Sequence, residues 1–479
     1  MNIAATPLII LIATAALALV PALVGPVRFR RDAPPALALL GLAAAGVMSV
    51  LLWGDRRATF YEAFRVDRLT VLLTLVFVVS GILTVLLSLR EPAGVDRRPE
   101  YYCLLLCAVA GMTLVAGAAD LIGMFLGIEI LSVALYVLCA LEVWRERSLE
   151  SGLKYLIVGA VGSALLLYGL TFLFGVTGTT SLADIALRVD ARDLGGESLL
   201  LGAMVLIIAG LGFKAGAAPF HMWAPDVYEG APTPITTFMA TAVKAAALAA
   251  FLRIFGAALI DVIDDWKTPI AVIAALAIVV GNVGGLMQSS FKRLLAYSSI
   301  AQAGYLLIGV ATGTLDGATA VLFYIIAYTA MTVGAFAVMV IREREVEDGQ
   351  SIAALAGLGR SNPIVAAVAT ICLLSLAGFP PLAGFIGKFM LFGAAADADL
   401  VWLAVVGAVG SVISLGYYLR PIYAMWAEDS RPEHARSLDP GAPVLFVVLM
   451  SGLGVLAMTG GAHWVTEVCR AAAESLIAP

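Results

Sequence analysis

Apolar stretches of about twenty residues recur along this 479-residue chain, separated by short polar breaks. A helix of that length crosses the roughly 30 Å hydrocarbon core of a bilayer. The composition leaves no other use for them. Hydrophobic residues make up 61% of the chain and charged residues 13%, too few charges to cover a soluble fold of this size. A water-soluble enzyme, a nucleic-acid binder and a disordered chain are thereby excluded, and a polytopic all-α membrane protein remains. The apolar runs predict about fourteen spans, near 6–25, 35–53, 69–89, 101–119, 121–141, 153–175, 199–220, 234–256, 269–288, 294–312, 318–341, 363–391, 400–425 and 443–465. The start, MNIAATPLIILIATAALALV, lacks the positive region of a cleaved signal and is predicted as the first span. No extended soluble domain interrupts the series.

Lysine and arginine set the orientation. The odd-numbered loops hold 17 of them, including Arg431 and Arg436 beside His434, against nine in the even loops and the C-terminal tail. The positive-inside bias puts the odd loops in the cytoplasm and both termini on the other side.

Four ionisable residues lie deep within predicted spans: Glu129, Lys214, Lys244 and Lys388. A charge at a helix centre costs roughly 2.5–3.5 kcal/mol on insertion scales. The plainer reading is ion pairs that hold helices together. One acid and three bases do not pair evenly, so at least two lysines lack a carboxylate from this chain. A lysine in apolar surroundings without a counter-charge gives up its proton more readily than one in water, as a proton relay requires. A proton or cation pathway is the preferred reading.

Two predicted spans are interrupted beside these lysines. GLGFKAGAAPFHMWAPD carries Gly212, Gly216 and Pro219 around Lys214, and LAGFPPLAGFIGKF carries Gly378, Pro380, Pro381 and Gly384 ahead of Lys388. Pro and Gly are common in membrane helices. Matched breaks in two halves of a chain also mark a transport path between inverted repeats. The breaks fall in the seventh and twelfth spans, which predicts two inverted five-helix units, 101–256 and 269–425. Three helices in 1–100 precede them, and a C-terminal helix in 443–479 follows.

Several other residues admit two readings. His221 either relays protons or is hydrogen-bonded at a helix end. Lys154 lies four residues after Glu150, the spacing of a simple helical ion pair. Lys292 and Arg293 read as topology anchors. Tyr297, Ser298, Ser299, Gln302 and Tyr305 form a polar string that carries a water chain or binds neighbouring helices. Cys103 and Cys107 share a helical face, but no further Cys or His lies near them in sequence. Motifs for dinucleotides, nucleotide phosphates or iron–sulfur clusters are missing, so any redox chemistry occurs on other chains.

The segments DLIGMFLGIEILSVALYVLCALE, ESGLKYLIVGAVGSALLLYG, GFKAGAAPFHMWAPDVYEGAPTP, KRLLAYSSIAQAGY, LLSLAGFPPLAGFIGKFMLF and SVISLGYYLR resemble the subunit N family of proton-pumping NADH:quinone oxidoreductase, respiratory complex I. That family belongs to a wider antiporter-like group shared with Mrp cation/proton antiporters. The resemblance implies that Glu129 and Lys214 interact across the fifth and seventh helices. It makes Lys244 the central lysine of the eighth helix and Lys388 the basic residue of the broken twelfth. Lys154 and His221 match positions the family also carries. Gln302 departs from it, since many relatives have histidine there and glutamine cannot take up a proton.

The resemblance further implies that the chain itself binds no cofactor, with NADH, flavin, iron–sulfur clusters and quinone on partner subunits. Its neighbours would be membrane-arm subunits K and M, in a bacterial plasma (inner) membrane. An Mrp-type sodium/proton antiporter subunit and a non-pumping structural wedge are the alternatives.

Overall fold

The computed structural model describes residues 3–24, 26–90, 97–344, 348–429 and 440–477. Arg431, His434 and Arg436 lie outside the described residues. Thirteen helices there are long and apolar enough to cross a membrane. A further span is divided into Pro363–Ala377 and Ala383–Asp397. In chain order the spans are Thr6–Val24, Val27–Leu51, Arg68–Ser88, Arg98–Gly117, Leu121–Cys139, Glu146–Thr177, Ser198–Ala215, Thr233–Ala258, Ile260–Leu286, Phe291–Ala311, Leu315–Glu343, the divided twelfth, Val401–Ala427 and Ala442–Gly460. They are called the first to fourteenth helices below. The all-α polytopic fold predicted from the sequence is the one observed.

Side-chain caps start several of them. Asp67 accepts a hydrogen bond from Thr70 N at the third, Asp120 from Gly123 N at the fifth, and Ser290 from Arg293 N at the tenth. Each cap satisfies a donor that the first helical turn leaves unpaired.

The helices differ in what surrounds them. The eighth, tenth and eleventh are almost wholly enclosed by protein, whereas the first, sixth, thirteenth and fourteenth face outward along much of their length. The enclosed three carry Lys244, the polar string and Tyr324 with Tyr328. The ninth helix packs on the tenth, the sixth on the seventh, and the eleventh on the fourteenth.

Four local expectations need correction. The second helix begins at Val27, so Arg28, Arg30 and Arg31 lie on its first turns and not in a loop. Residues 54–68 form a small antiparallel hairpin, Arg57–Thr59 with Phe64–Val66; strands too short for a periodicity signal were invisible in the sequence. The last predicted span ends at Gly460. A separate helix, Ala462–Ile477, then packs on the third and eleventh, with Ser475 Oγ accepting from Leu69 N. Within the polar connection 177–198, Leu182–Ala191 forms a short amphipathic helix.

Candidate functional site

Both broken helices end their first half in the same way. Gly216 and Gly378 have φ of +69° and +86°, a conformation glycine adopts without steric penalty. At the first break Gly216 N donates to Phe213 O and Ala217 N to Gly212 O; at the second Gly378 N donates to Ser375 O and Phe379 N to Leu374 O. This paired arrangement satisfies carbonyls that a helix end would otherwise expose to hydrocarbon. Ala218–Pro219 and Pro380–Pro381 are cis, at the same spacing from each glycine.

The sequence places the two lysines on opposite sides of their glycines. Lys214 belongs to the last turn of its half-helix, while Lys388 lies in the helix after the break. Space reverses this. Lys388 Nζ reaches back to the carbonyls of Leu376 at 3.0 Å and Ala377 at 3.2 Å. The Lys388 ammonium thus sits at the carboxyl end of the first half-helix, where the backbone dipoles present partial negative charge, and Lys214 belongs to the last turn of its own half-helix. The Tyr305 ring covers Lys388, its centroid 4.3 Å from Nζ.

Lys214 is buried and donates to Ser132 Oγ at 2.8 Å, with the Tyr136 hydroxyl 3.5 Å away. Glu129 lies one helical turn before Ser132 and is half-buried. Its carboxylate accepts from Ser163 Oγ at 2.5 Å. The implied pair is therefore not a direct ion pair. Glu129 and Lys214 approach one face of the fifth helix, each held by its own hydroxyl.

A column of rings leads from there to the eighth helix. Tyr136 meets Tyr155 edge-on at 4.8 Å, Tyr155 stacks on Trp223 at 4.6 Å, and Trp223 meets Tyr228 at 6.0 Å. Trp223 Nε1 donates to Phe213 O at 3.0 Å, fastening the segment after the break to the half-helix before it. The Tyr228 hydroxyl lies 3.5 Å from Ser299 Oγ. Lys244, buried on the eighth helix directly after the π-turn Met239–Val243, donates to Ser299 Oγ at 2.6 Å and to the Ser299 carbonyl. The Tyr328 hydroxyl reaches the same Oγ at 3.3 Å.

The polar string on the tenth helix completes the connection. Ser298 hydrogen-bonds the Tyr418 hydroxyl. Gln302 Nε2 donates to Leu376 O at 3.1 Å and lies 3.4 Å from the Tyr418 hydroxyl, while the Tyr324 hydroxyl donates to Gln302 Oε1 at 2.6 Å. Leu376 O is also an acceptor for Lys388. Buried polar groups thus extend from Lys244 and Ser299 through Ser298, Tyr418 and Gln302 to Lys388, with Ser299 and Ser298 joined by the chain and Gln302 and Lys388 by their shared carbonyl. Tyr297 departs from it and packs against Gly284.

The lesser candidates lie apart. Lys154 pairs with Glu150 Oε1 at 2.7 Å, as its spacing predicted, and with Asp226 Oδ2 at 3.0 Å. Arg293 bridges Asp226 and Glu229 at 3.0 and 2.7 Å. His221 lies in the loop after the first break. Its Nδ1 is buried without a hydrogen-bond partner, and no hydrogen bond joins it to Lys214 or Lys244.

Several buried charged groups went unnoticed in the sequence, Arg253 and Lys292 among them, because they sit near span ends. Arg253, counted with a loop, lies within the eighth helix and pairs with Asp67 at 2.9 Å while its Nε donates to Ala116 O at 2.6 Å. Lys292, read as a topology anchor, is fully buried; it donates to Ala231 O at 2.7 Å and lies 3.6 Å from Glu343 Oε1.

Known proteins share this architecture. Residues 118–414 match the family described as NADH:quinone oxidoreductase/Mrp antiporter, transmembrane. NADH-quinone oxidoreductase subunit N of Trichlorobacter lovleyi is 41% identical over 421 residues, covering 88% of this chain and 86% of that one. Its counterpart in Heliobacterium modesticaldum is 40% identical over 441 residues, covering 92% of both. A chain of respiratory complex I from Thermus thermophilus superimposes with a TM-score of 0.83 at 36% identity, covering 96% of this chain and 98% of that one. A chain of the Mrp complex from Dietzia sp. has the same fold, with a TM-score of 0.87 at 21% identity over 100% and 98% of the two chains.

Proposed function

This chain belongs to the subunit N family of the NADH-quinone oxidoreductases, and from that premise we propose that it moves protons across the membrane while electrons pass from NADH to quinone on other subunits. The observation that carries the reading is the enclosed polar route joining Lys244 to Lys388, with the ring column leading to it from Lys214. Buried lysines bound only by hydroxyls and carbonyls hold a charge that no carboxylate fixes in place, so their protons are free to exchange. The distance between Glu129 and Lys214 governs how tightly Lys214 keeps its proton. Movement of the fifth helix against the seventh sends that proton towards Lys244, and from there along the tenth helix to Lys388 and out. Glutamine at 302 passes protons only through bound water, because its amide does not titrate.

The neighbours in this reading are the membrane-arm subunits K and M. The odd-loop face is cytoplasmic in a bacterial inner membrane, and both termini lie on the opposite side. The matched breaks support two inverted five-helix units. Flavin, iron–sulfur clusters and quinone belong to partner subunits.

The test is the complete oxidoreductase reconstituted in liposomes, with Lys214→Ala or Lys244→Ala in this subunit. Electron transfer should persist, and protons moved per electron pair should fall. A normal proton ratio with either replacement refutes the proposal.

A further inference from the structure

The buried pair Lys292–Glu343 has no part in the route above. It lies where four odd-numbered connections converge: Glu142 after the fifth helix, Ala231 between the seventh and eighth, Lys292 at the start of the tenth and Glu343 at the end of the eleventh. The charged and titratable groups facing Lys292 are Glu343, Glu142, Arg145 and Cys139. Glu343 also accepts from Gln350 Nε2 at 2.7 Å, and Glu142 accepts from Arg145 at 2.6 Å. Arg293, the next residue after Lys292, belongs to a more exposed network with Lys154, Glu150, Asp226 and Glu229. The cluster thus runs from the aqueous surface to a lysine with no exposed area.

Lys292 lies on the same helix as the route. It precedes Ser299, the residue that holds Lys244, by two helical turns, on the order of 10 Å. Two buried hydroxyls in this region lack hydrogen-bond partners. Thr233 lies two residues from the carbonyl that Lys292 binds, and Thr332 lies one turn from Tyr328, whose hydroxyl touches Ser299. Buried hydroxyls of this kind are ordinarily satisfied by ordered water.

We propose that Lys292 and Glu343 form the proton inlet of this subunit, collecting protons from the odd-loop face and delivering them through water at Thr233 and Thr332 to Ser299 and Lys244. The Lys292 ammonium releases one proton inward and becomes the amine. Glu343 takes one proton from the surface and returns it to that amine, so the pair ends as it began. This inlet rests on the proton-moving reading of Lys244.

A purely structural pair would need only charge and hydrogen bonding, which arginine supplies. Arginine does not give up its proton in proteins. The test compares Lys292→Arg, Lys292→His and Thr332→Val with Lys244→Met in the complete, reconstituted oxidoreductase. Assembly, electron transfer and protons per electron pair are measured across pH. Lys292→Arg should assemble and pass electrons while its proton ratio drops to that of Lys244→Met. Lys292→His should recover pumping with an optimum at lower pH, since imidazole titrates near pH 6.5. Thr332→Val should slow pumping several-fold, and this variant decides the matter should Lys292→Arg fail to assemble. A wild-type ratio in Lys292→Arg, or in Thr332→Val, overturns the inlet. A wild-type ratio in Lys244→Met overturns the proton-moving reading itself.

Discussion

Gln302 and Lys388 share one acceptor. The carbonyl oxygen of Leu376 takes a hydrogen bond from Gln302 Nε2 at 3.1 Å and from Lys388 Nζ at 3.0 Å. That carbonyl belongs to the last turn before the break at Gly378, so the end of this half-helix provides the junction between the tenth helix and the terminal lysine.

Replacing Gln302 by leucine removes this junction and leaves the buried Tyr324 hydroxyl without its acceptor. An unsatisfied buried polar group costs about 1–3 kcal/mol. Gln302→Leu should therefore lower both the thermal stability of the assembled complex and its proton ratio. Gln302→His keeps a donor and an acceptor at this position and should pump at close to the wild-type ratio. Paired melting and pumping measurements on the two variants check this.

The sequence made the architecture legible because crossing a bilayer demands long apolar runs, which resist misreading. Glu129, Lys214, Lys244 and Lys388 stood out for the same reason: each is a charge in the middle of such a run. Span ends hid the rest. Arg253 and Lys292 looked like ordinary boundary charges, and only the packing of the third and eleventh helices reveals them as buried. Tyr136, Tyr155, Trp223 and Tyr228 come from three helices, the last two from the short helix Trp223–Gly230, with no periodicity to group them. The reach of Lys388 back to Leu376 depends on the turn at Gly378, which residue types alone do not specify.

The two glycines at the breaks should respond differently to alanine. Both have positive φ, so both substitutions carry a backbone penalty of roughly 1–2 kcal/mol. A methyl at Gly378 would also meet Lys388 Cδ at 3.0 Å and Nζ at 3.4 Å, whereas at Gly216 its closest neighbours lie 3.9 Å away. Gly378→Ala should displace the lysine and reduce pumping beyond what its loss of stability explains. Gly216→Ala should cost stability with the proton ratio retained. Pumping normalised to the amount of assembled complex separates the two.

The Asp67–Arg253 pair ties the start of the third helix to the eighth. Both residues are buried, and the guanidinium also binds Ala116 O and Thr70. Breaking such a pair from one side strands a charge and costs about 3–5 kcal/mol, while replacing both partners with apolar residues is often tolerated. Asp67→Asn should sharply reduce the amount of assembled complex in membranes. The double variant Asp67→Leu with Arg253→Met should recover much of it. Native gels of membrane extracts give the comparison, and equal abundance of the single and double variants would contradict it.

Glu142 gives a pH dependence with a definite sign. It lies in the connection between the fifth and sixth helices, and burial pushes its carboxyl above the usual carboxylate range, against the pull of Arg145. The folded protein therefore binds this proton more tightly than the unfolded chain does. The resulting stabilisation is present at acidic pH and is lost as the pH rises through the raised value. Glu142→Gln is neutral at every pH and does not suffer that loss, and its former partner Arg145 is 39% exposed and readily solvated. Hydrogen–deuterium exchange over residues 140–145, measured from about pH 4 to about pH 8 and corrected for intrinsic rates, should show equal protection in the two proteins at the acid end. Towards neutrality the variant should become the better protected, and a difference of the opposite sign would mean that Arg145 outweighs burial at this carboxyl.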